Sequence, residues 1–208
     1  LEIYSHVEKY YELEEGVTRS LIQAEINLEL SLIKPRPLGM KLWKMACNSG
    51  KSIHIVSDMY LDISVIKKIL DDSGYKERVS IFLSSIYGAR KKEGKLYDVV
   101  ISELNVKPEN VLHVGDNKVA DIEQAQARGL KTFRLLRAID RMRGNDFYQK
   151  IFPRTSGVGE RSRSAIVGLI AGSLFDQGVG ETEKNSLFHG EPFNLGYAAI
   201  GPILSGFM

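Results

Sequence analysis

Apolar and polar positions recur with two different periods along the chain, and each change of period marks an element. Over residues 1–33, Ile3, Val7, Tyr10 and Tyr11, then Leu21, Ile22, Ile26, Leu28 and Leu32, repeat at helical spacing among Glu12, Glu14, Glu25 and Glu29. Pro35 and Pro37 interrupt that pattern, and a third helix is expected over residues 39–48, stopping at Gly50. The next apolar run, Ser52-Ile53-His54-Ile55-Val56, is short and β-branched and predicts a buried parallel strand. Asp62 can cap a helix whose inner face is Ile63, Ile66, Ile69 and Leu70 and which ends near Gly74. Further strands are expected over residues 79–83, 110–114 and 131–134, with helices over 96–104 and 119–128, the last ending at Gly129.

Strands that alternate with helices predict an α/β fold with a Rossmann-like parallel sheet and right-handed crossovers. Residues 1–50 are read as a mainly helical segment and 51–150 as the α/β core. A boundary is expected near 150, because the character changes after Phe152-Pro153. Residues 154–160 and 176–183 are rich in glycine and polar residues, and 193–208 are apolar again, so 151–208 are read as a linker and the start of a following domain. In parallel sheets, chemistry collects at the carboxyl ends of the strands. Ser57-Asp58 and Gly115-Asp116-Asn117 both follow immediately after predicted strands, and this coincidence is the main argument for a site.

Composition narrows the classes. The 208 residues are 43% hydrophobic and 26% charged, which suits one medium domain or one domain plus a piece of another. The chain opens on Leu1 and closes on Gly206-Phe207-Met208, as a fragment of a longer polypeptide would. A net charge of +2 with only short basic clusters argues against nucleic acid as a partner. The single cysteine, Cys47, rules out an internal disulfide, and no Cys/His set has zinc spacing. No signal peptide or membrane span is visible, so a cytoplasmic location is expected.

Three groups can carry chemistry. In Gly115-Asp116-Asn117-x-x-x-Asp121, Gly115 permits a tight turn, Asp116 projects past the strand end and Asp121 falls in the next helix's first turn. Two carboxylates so placed can hold Mg²⁺. The same spacing also suits a turn with Asn117 as helix cap and Asp121 favoured by the helix dipole. The serine and amides of Ser57-Asp58-Met59-Tyr60-Leu61 can bind a phosphoryl oxygen, or form an ordinary strand-to-helix turn. Lys91, in Gly88-Ala89-Arg90-Lys91-Lys92-Glu93-Gly94-Lys95, can neutralise carboxylate and phosphate charge, or sit in a solvated basic loop.

A serine after a strand, a lysine before a later helix and Gly-Asp-x-x-x-x-Asp after the next strand follow in the order of motifs two, three and four of haloacid-dehalogenase-type (HAD) hydrolases, which this chain resembles. The string Val56-Ser57-Asp58-Met59-Tyr60-Leu61 resembles a subgroup found in large bacterial proteins of surface-polysaccharide synthesis, often beside glycosyltransferase modules. The stretch from Ser84-Ser85 to Leu96-Tyr97 and the tail Leu195-Gly196-Tyr197…Gly201-Pro202 are similar to that subgroup too. The resemblance covers most of residues 1–140.

It implies a Mg²⁺-dependent phosphohydrolase acting on a small phosphorylated metabolite such as a sugar phosphate. Ser57, with Asp58, would bind the phosphoryl group, and Lys91 would stabilise the nucleophile–phosphate pair, Lys92 and Lys95 being substitutes. Asp116 would ligate Mg²⁺, Asp121 would support or complete that shell, and residues 1–50 would form a helical cap over the site.

One departure is large. The family's first motif, Asp-x-Asp on the first strand, is not matched before residue 50, and Asp58 and Asp62 follow the second motif's serine. In the family the first aspartate attacks phosphorus and the second works as acid and base. This chain alone is therefore expected to be inactive and to lack the sheet's central strand. The alternative is a HAD-fold scaffold that positions a glycosyltransferase module in the same polypeptide. A third reading is an unrelated nucleotide-binding or receiver-like module. Against its nucleotide-binding form, no Gly-x-Gly-x-x-Gly follows a strand, and Gly157-Val158-Gly159-Glu160-Arg161-Ser162 lacks the Gly-Lys-Ser/Thr ending of a phosphate loop.

Overall fold

The computed structural model describes residues 2–75 and 79–151, and beyond them 167, 168, 170–172 and 175. The linker, the partial phosphate-loop string and the tail motif singled out above lie outside these residues. Helix and strand are mixed. The chain divides into two compact units, residues 1–35 with 39–134, and residues 36–38 with 135–208. That division comes ahead of the compositional change near residue 150.

α1 (Glu2–Tyr11) and α2 (Glu15–Leu32) lie in the first unit, as does α3 (Pro37–Asn48) from Gly39 onward. Glu12, with φ +52, breaks the helical run between α1 and α2. Pro37 opens α3 rather than merely ending what came before, since a proline at the first helical position gives up no hydrogen bond. Many of the periodic apolar residues of α1 and α2 remain in solvent, Tyr10, Leu28 and Leu32 among them. The side of α2 that is covered reaches the unit's core through Ile26, which packs against Leu61, Ile66 and Leu83.

The strands form two parallel pairs. β1 (His54–Ser57) pairs with β2 (Ser80–Leu83), with Ser57 opposite Leu83, and β3 (Leu112–Gly115) pairs with β4 (Lys131–Arg134), with Gly115 opposite Arg134. Among the described residues, each strand has one partner. α4 (Ile63–Asp72) connects β1 to β2, and its cap is the expected one: Asp62 accepts from the Ser64 amide at 2.8 Å. α5 (Ser84–Tyr87), a 3-10 turn at Lys91–Glu93 and α6 (Lys95–Leu104) lead towards β3. β3 starts later than expected because Pro108 opens a 3-10 turn over Pro108–Asn110, which closes with the Val111 amide on the Pro108 carbonyl at 3.0 Å.

The expected regular helix over 119–128 is also different. Lys118–Glu123 winds as a wider π-type turn before α7 (Gln124–Gln126). Asn117 caps it, accepting from Val119 and Ala120 at 3.0 and 2.9 Å.

α6 holds this unit together. One side buries Leu96 and Val100 with Phe82 and Ala89. Its Tyr97 joins Ala125 and Leu130, and Val56 of β1 packs against both groups. The second unit has its own apolar cluster of Met142, Tyr148, Ile170 and Ala171. Met142 lies in α8 (Ala138–Arg143) and Tyr148 in α9 (Asp146–Ile151). There Arg36 donates to the Leu136 carbonyl at 2.7 Å. No helix among the described residues is long and apolar enough to cross a membrane.

Leu96 is wholly buried. Leu96→Ala should therefore cost roughly 2–5 kcal/mol by emptying a packed site. Urea denaturation checks this, and a loss well under about 1 kcal/mol would mean that α6 is not the core element described.

Candidate functional site

Lys91 is the residue on which the candidate groups meet. The 3-10 turn that carries it starts after the left-handed Gly88 and stops at the left-handed Gly94 (φ +76). Asp58, one residue past β1, accepts from the Lys91 main-chain amide at 2.9 Å. The Lys91 ammonium donates to Asp121 Oδ1 at 2.6 Å, with the side chains only 15% and 3% exposed. Lys91 thus contacts the segment that leaves β1 through its backbone and the segment that leaves β3 through its side chain. Lys92 and Lys95 are exposed, and Lys95 pairs with Glu93, so Lys91 is the lysine drawn into the site.

Asp121 is buried, and both of its carboxylate oxygens accept hydrogen bonds. Besides Lys91, Oδ1 lies 3.3 Å from His113 Nε2, and Oδ2 accepts from the Asn117 amide at 2.9 Å. Gly115 makes this possible for a reason other than a tight turn. A Cβ at Gly115 would stand 2.4 Å from Asp121 Cγ, so only glycine lets the carboxylate lie against the strand end. Burial pushes the Asp121 carboxyl up. The hydrogen bonds from His113 and Lys91, the Lys91 charge and the Asn117 amide outweigh burial and hold it well below the usual carboxylate range.

Ser57 ends β1, half-buried and next to Asp58. Asp116 is half-buried just past β3, where its carbonyl accepts from Arg134 Nε at 3.4 Å. From sequence, Asp58 is expected to bind phosphate beside Ser57. In the structure, one of its carboxylate oxygens anchors the Lys91 turn. That turn is also held from the far side by Arg128, which donates to the Glu93 carbonyl at 2.7 Å and to Asp98 at 3.2 Å. A Cβ on Gly94 would collide with that guanidinium at 1.7 Å.

His113, Tyr97 and Arg128 were not among the residues picked from sequence. Tyr97 is fully buried and donates to the Ala120 carbonyl at 2.9 Å, beside Asp121. Burial first, then the charges of Asp121 and Asp58, push its phenol far up, so it stays a neutral donor. A signal for His113 was available: strand residues two apart share a face, so His113 lies on the Gly115 side.

Mg²⁺ takes one or two protein carboxylates and keeps water or substrate oxygens for the rest. Among the described residues no group of three or more His, Cys, Asp or Glu side chains gathers to hold a metal. Asp116 and Asp121 are the two carboxylates expected from sequence to serve such an ion. Both oxygens of Asp121 already accept hydrogen bonds, which suits a supporting part better than a direct one. An apolar hollow lined by Ile3, Val7, Tyr10 and Tyr11 of α1 contains none of the candidate residues. No protein-family model matches the chain, and no curated protein matches it significantly.

A carboxyl group whose pKa is lowered by folding stabilises the protein above its unfolded value, near pH 4, and that contribution is lost as pH falls towards the folded value. Asp121→Asn should therefore be less stable than the parent at about pH 7, and the gap should narrow below about pH 4. Denaturation curves of both proteins across that range test this, and a gap that stays constant with pH would show that Asp121 is not held as an ionised partner.

Proposed function

We propose that this chain carries the phosphate and metal side of a HAD-type phosphohydrolase on a Rossmann-like core, with helices α1–α3 as its cap. The observation that carries the reading is Lys91, tied by Asp58 to the end of β1 and by Asp121 to the segment after β3. In this reading the three segments are the family's second, third and fourth motifs, and their contacts through Lys91 support it. The two parallel pairs support it as well. A strand added between β1 and β3 would give the continuous order β2-β1-new-β3-β4 and would end beside Ser57 and Lys91.

In this reading Ser57 donates to a phosphoryl oxygen and Lys91 offsets the charge of phosphate and attacking carboxylate. Asp116 supplies the charge that holds Mg²⁺, and Asp121 fixes Lys91. Mg²⁺, when bound, would neutralise phosphate oxygens. The attacking aspartate and its acid–base partner are not matched within these residues, so the chain as it stands is expected to lack turnover. The substrate is a small phosphorylated metabolite, and sugar phosphates are the first class to try. The other account is a HAD-fold scaffold beside a glycosyltransferase module.

The test is Mg²⁺-dependent phosphate release, and Mg²⁺ affinity by calorimetry, on the protein as its gene encodes it. Asp116→Asn should lower Mg²⁺ affinity and remove turnover. Ser57→Ala should mainly weaken phosphate binding, by about 0.5–1.5 kcal/mol, the worth of one neutral hydrogen bond. Mg²⁺ affinity indifferent to Asp116→Asn, with no hydrolysis of any phosphorylated sugar tried, would leave the scaffold as the better account.

A further inference from the structure

The geometry points to His113 as a positioning residue for Lys91, acting through Asp121; this rests on the reading of Lys91 as the phosphate-site lysine. His113 occupies the middle of β3, where an apolar side chain would pack at no polar cost, and its side chain is only 11% exposed. A buried imidazole is costly unless its nitrogens are used. An ionised carboxylate can only accept, so the contact between His113 Nε2 and Asp121 Oδ1 places the hydrogen on Nε2.

Two constraints aim that hydrogen. The ring lies edge-to-face on Tyr97, with centroids 5.0 Å apart and planes at 74°, and Tyr97 is itself fixed by full burial and its bond to Ala120. Strand alternation puts His113 on the same face as Gly115, against which Asp121 is packed. The oxygen that His113 contacts is the one that receives the Lys91 ammonium. Without the imidazole hydrogen bond, that carboxylate is held by the Asn117 amide on one oxygen and by the flexible Lys91 side chain on the other, so it can rotate with the ammonium. Lys91 then loses its fixed direction while keeping its charge.

Two variants separate the donor from the ring. His113→Phe keeps an aromatic edge for Tyr97 and removes the donor. His113→Gln returns an N–H at about the reach of Nε2. The measurement is the NMR signal of the Lys91 ammonium in the ¹⁵N-lysine-labelled chain, assigned by its loss in Lys91→Arg. Its hydrogens should exchange slowly in the parent and in His113→Gln, and roughly tenfold faster or more in His113→Phe, as a charge-assisted network loses a member. Should His113→Phe not fold, His113→Ile, suited to a strand, gives the same comparison. An unchanged Lys91 signal in a folded variant without the donor would overturn the proposal, as would loss of the signal in folded His113→Gln. This readout does not involve hydrolysis. A protein that never releases phosphate but shows these changes would keep His113 in its place and remove only the enzyme reading.

Discussion

Lys91 is fixed at both of its ends. Its amide is bonded to the carboxylate that follows β1, and its ammonium to a carboxylate that follows β3. A nearly buried ion pair gains little unless every remaining donor and acceptor nearby is satisfied. Here His113 and Asn117 take up the rest of Asp121, and Arg128 secures the carbonyl at the end of the Lys91 turn. Two short parallel pairs, neither of which would persist alone in water, are joined at their carboxyl ends by this one residue and further by the packing of α6.

Glycine placement follows from the same constraint. Gly115 leaves room for the Asp121 carboxylate, and Gly94 leaves room for the Arg128 guanidinium while taking a left-handed conformation. Gly88 ends α5 in the same left-handed region and turns the chain towards Lys91. Gly115 and Gly94 thus each make room for a polar contact to the lysine turn or its partners, whereas Gly88 supplies only the turn.

Much of this was legible in the residues. Short apolar runs located the four strands of the described residues, and Asp62 and Asn117 announced the helix starts that they cap, because period and capping are local properties. What escaped notice depends on tertiary contact. The π-type turn at Lys118–Glu123 coincides with Asp121 folding back on Gly115, a packing relation with no local signature. The Lys91 amide that donates to Asp58 is brought there only by the fold. The helical periodicity of α1 and α2 was clear, but periodicity does not say how much of a stripe is covered, and Tyr10, Leu28 and Leu32 stay in solvent. Lys91 is the lysine preferred over Lys92 and Lys95 from sequence, and it is also the one of the three that is partly buried.

The account stands on the claim that Lys91 and Asp121 act as a coupled pair joining the two sheets. A double-mutant cycle measures this directly, because single substitutions also report the charge left unpaired. Lys91→Met, Asp121→Asn and the double variant should be compared by urea denaturation at about pH 7. The account expects the double variant to be more stable than the sum of the single losses allows, by roughly 1–3 kcal/mol. Losses that add to within about 0.3–0.5 kcal/mol would mean that the two residues do not interact and would contradict it.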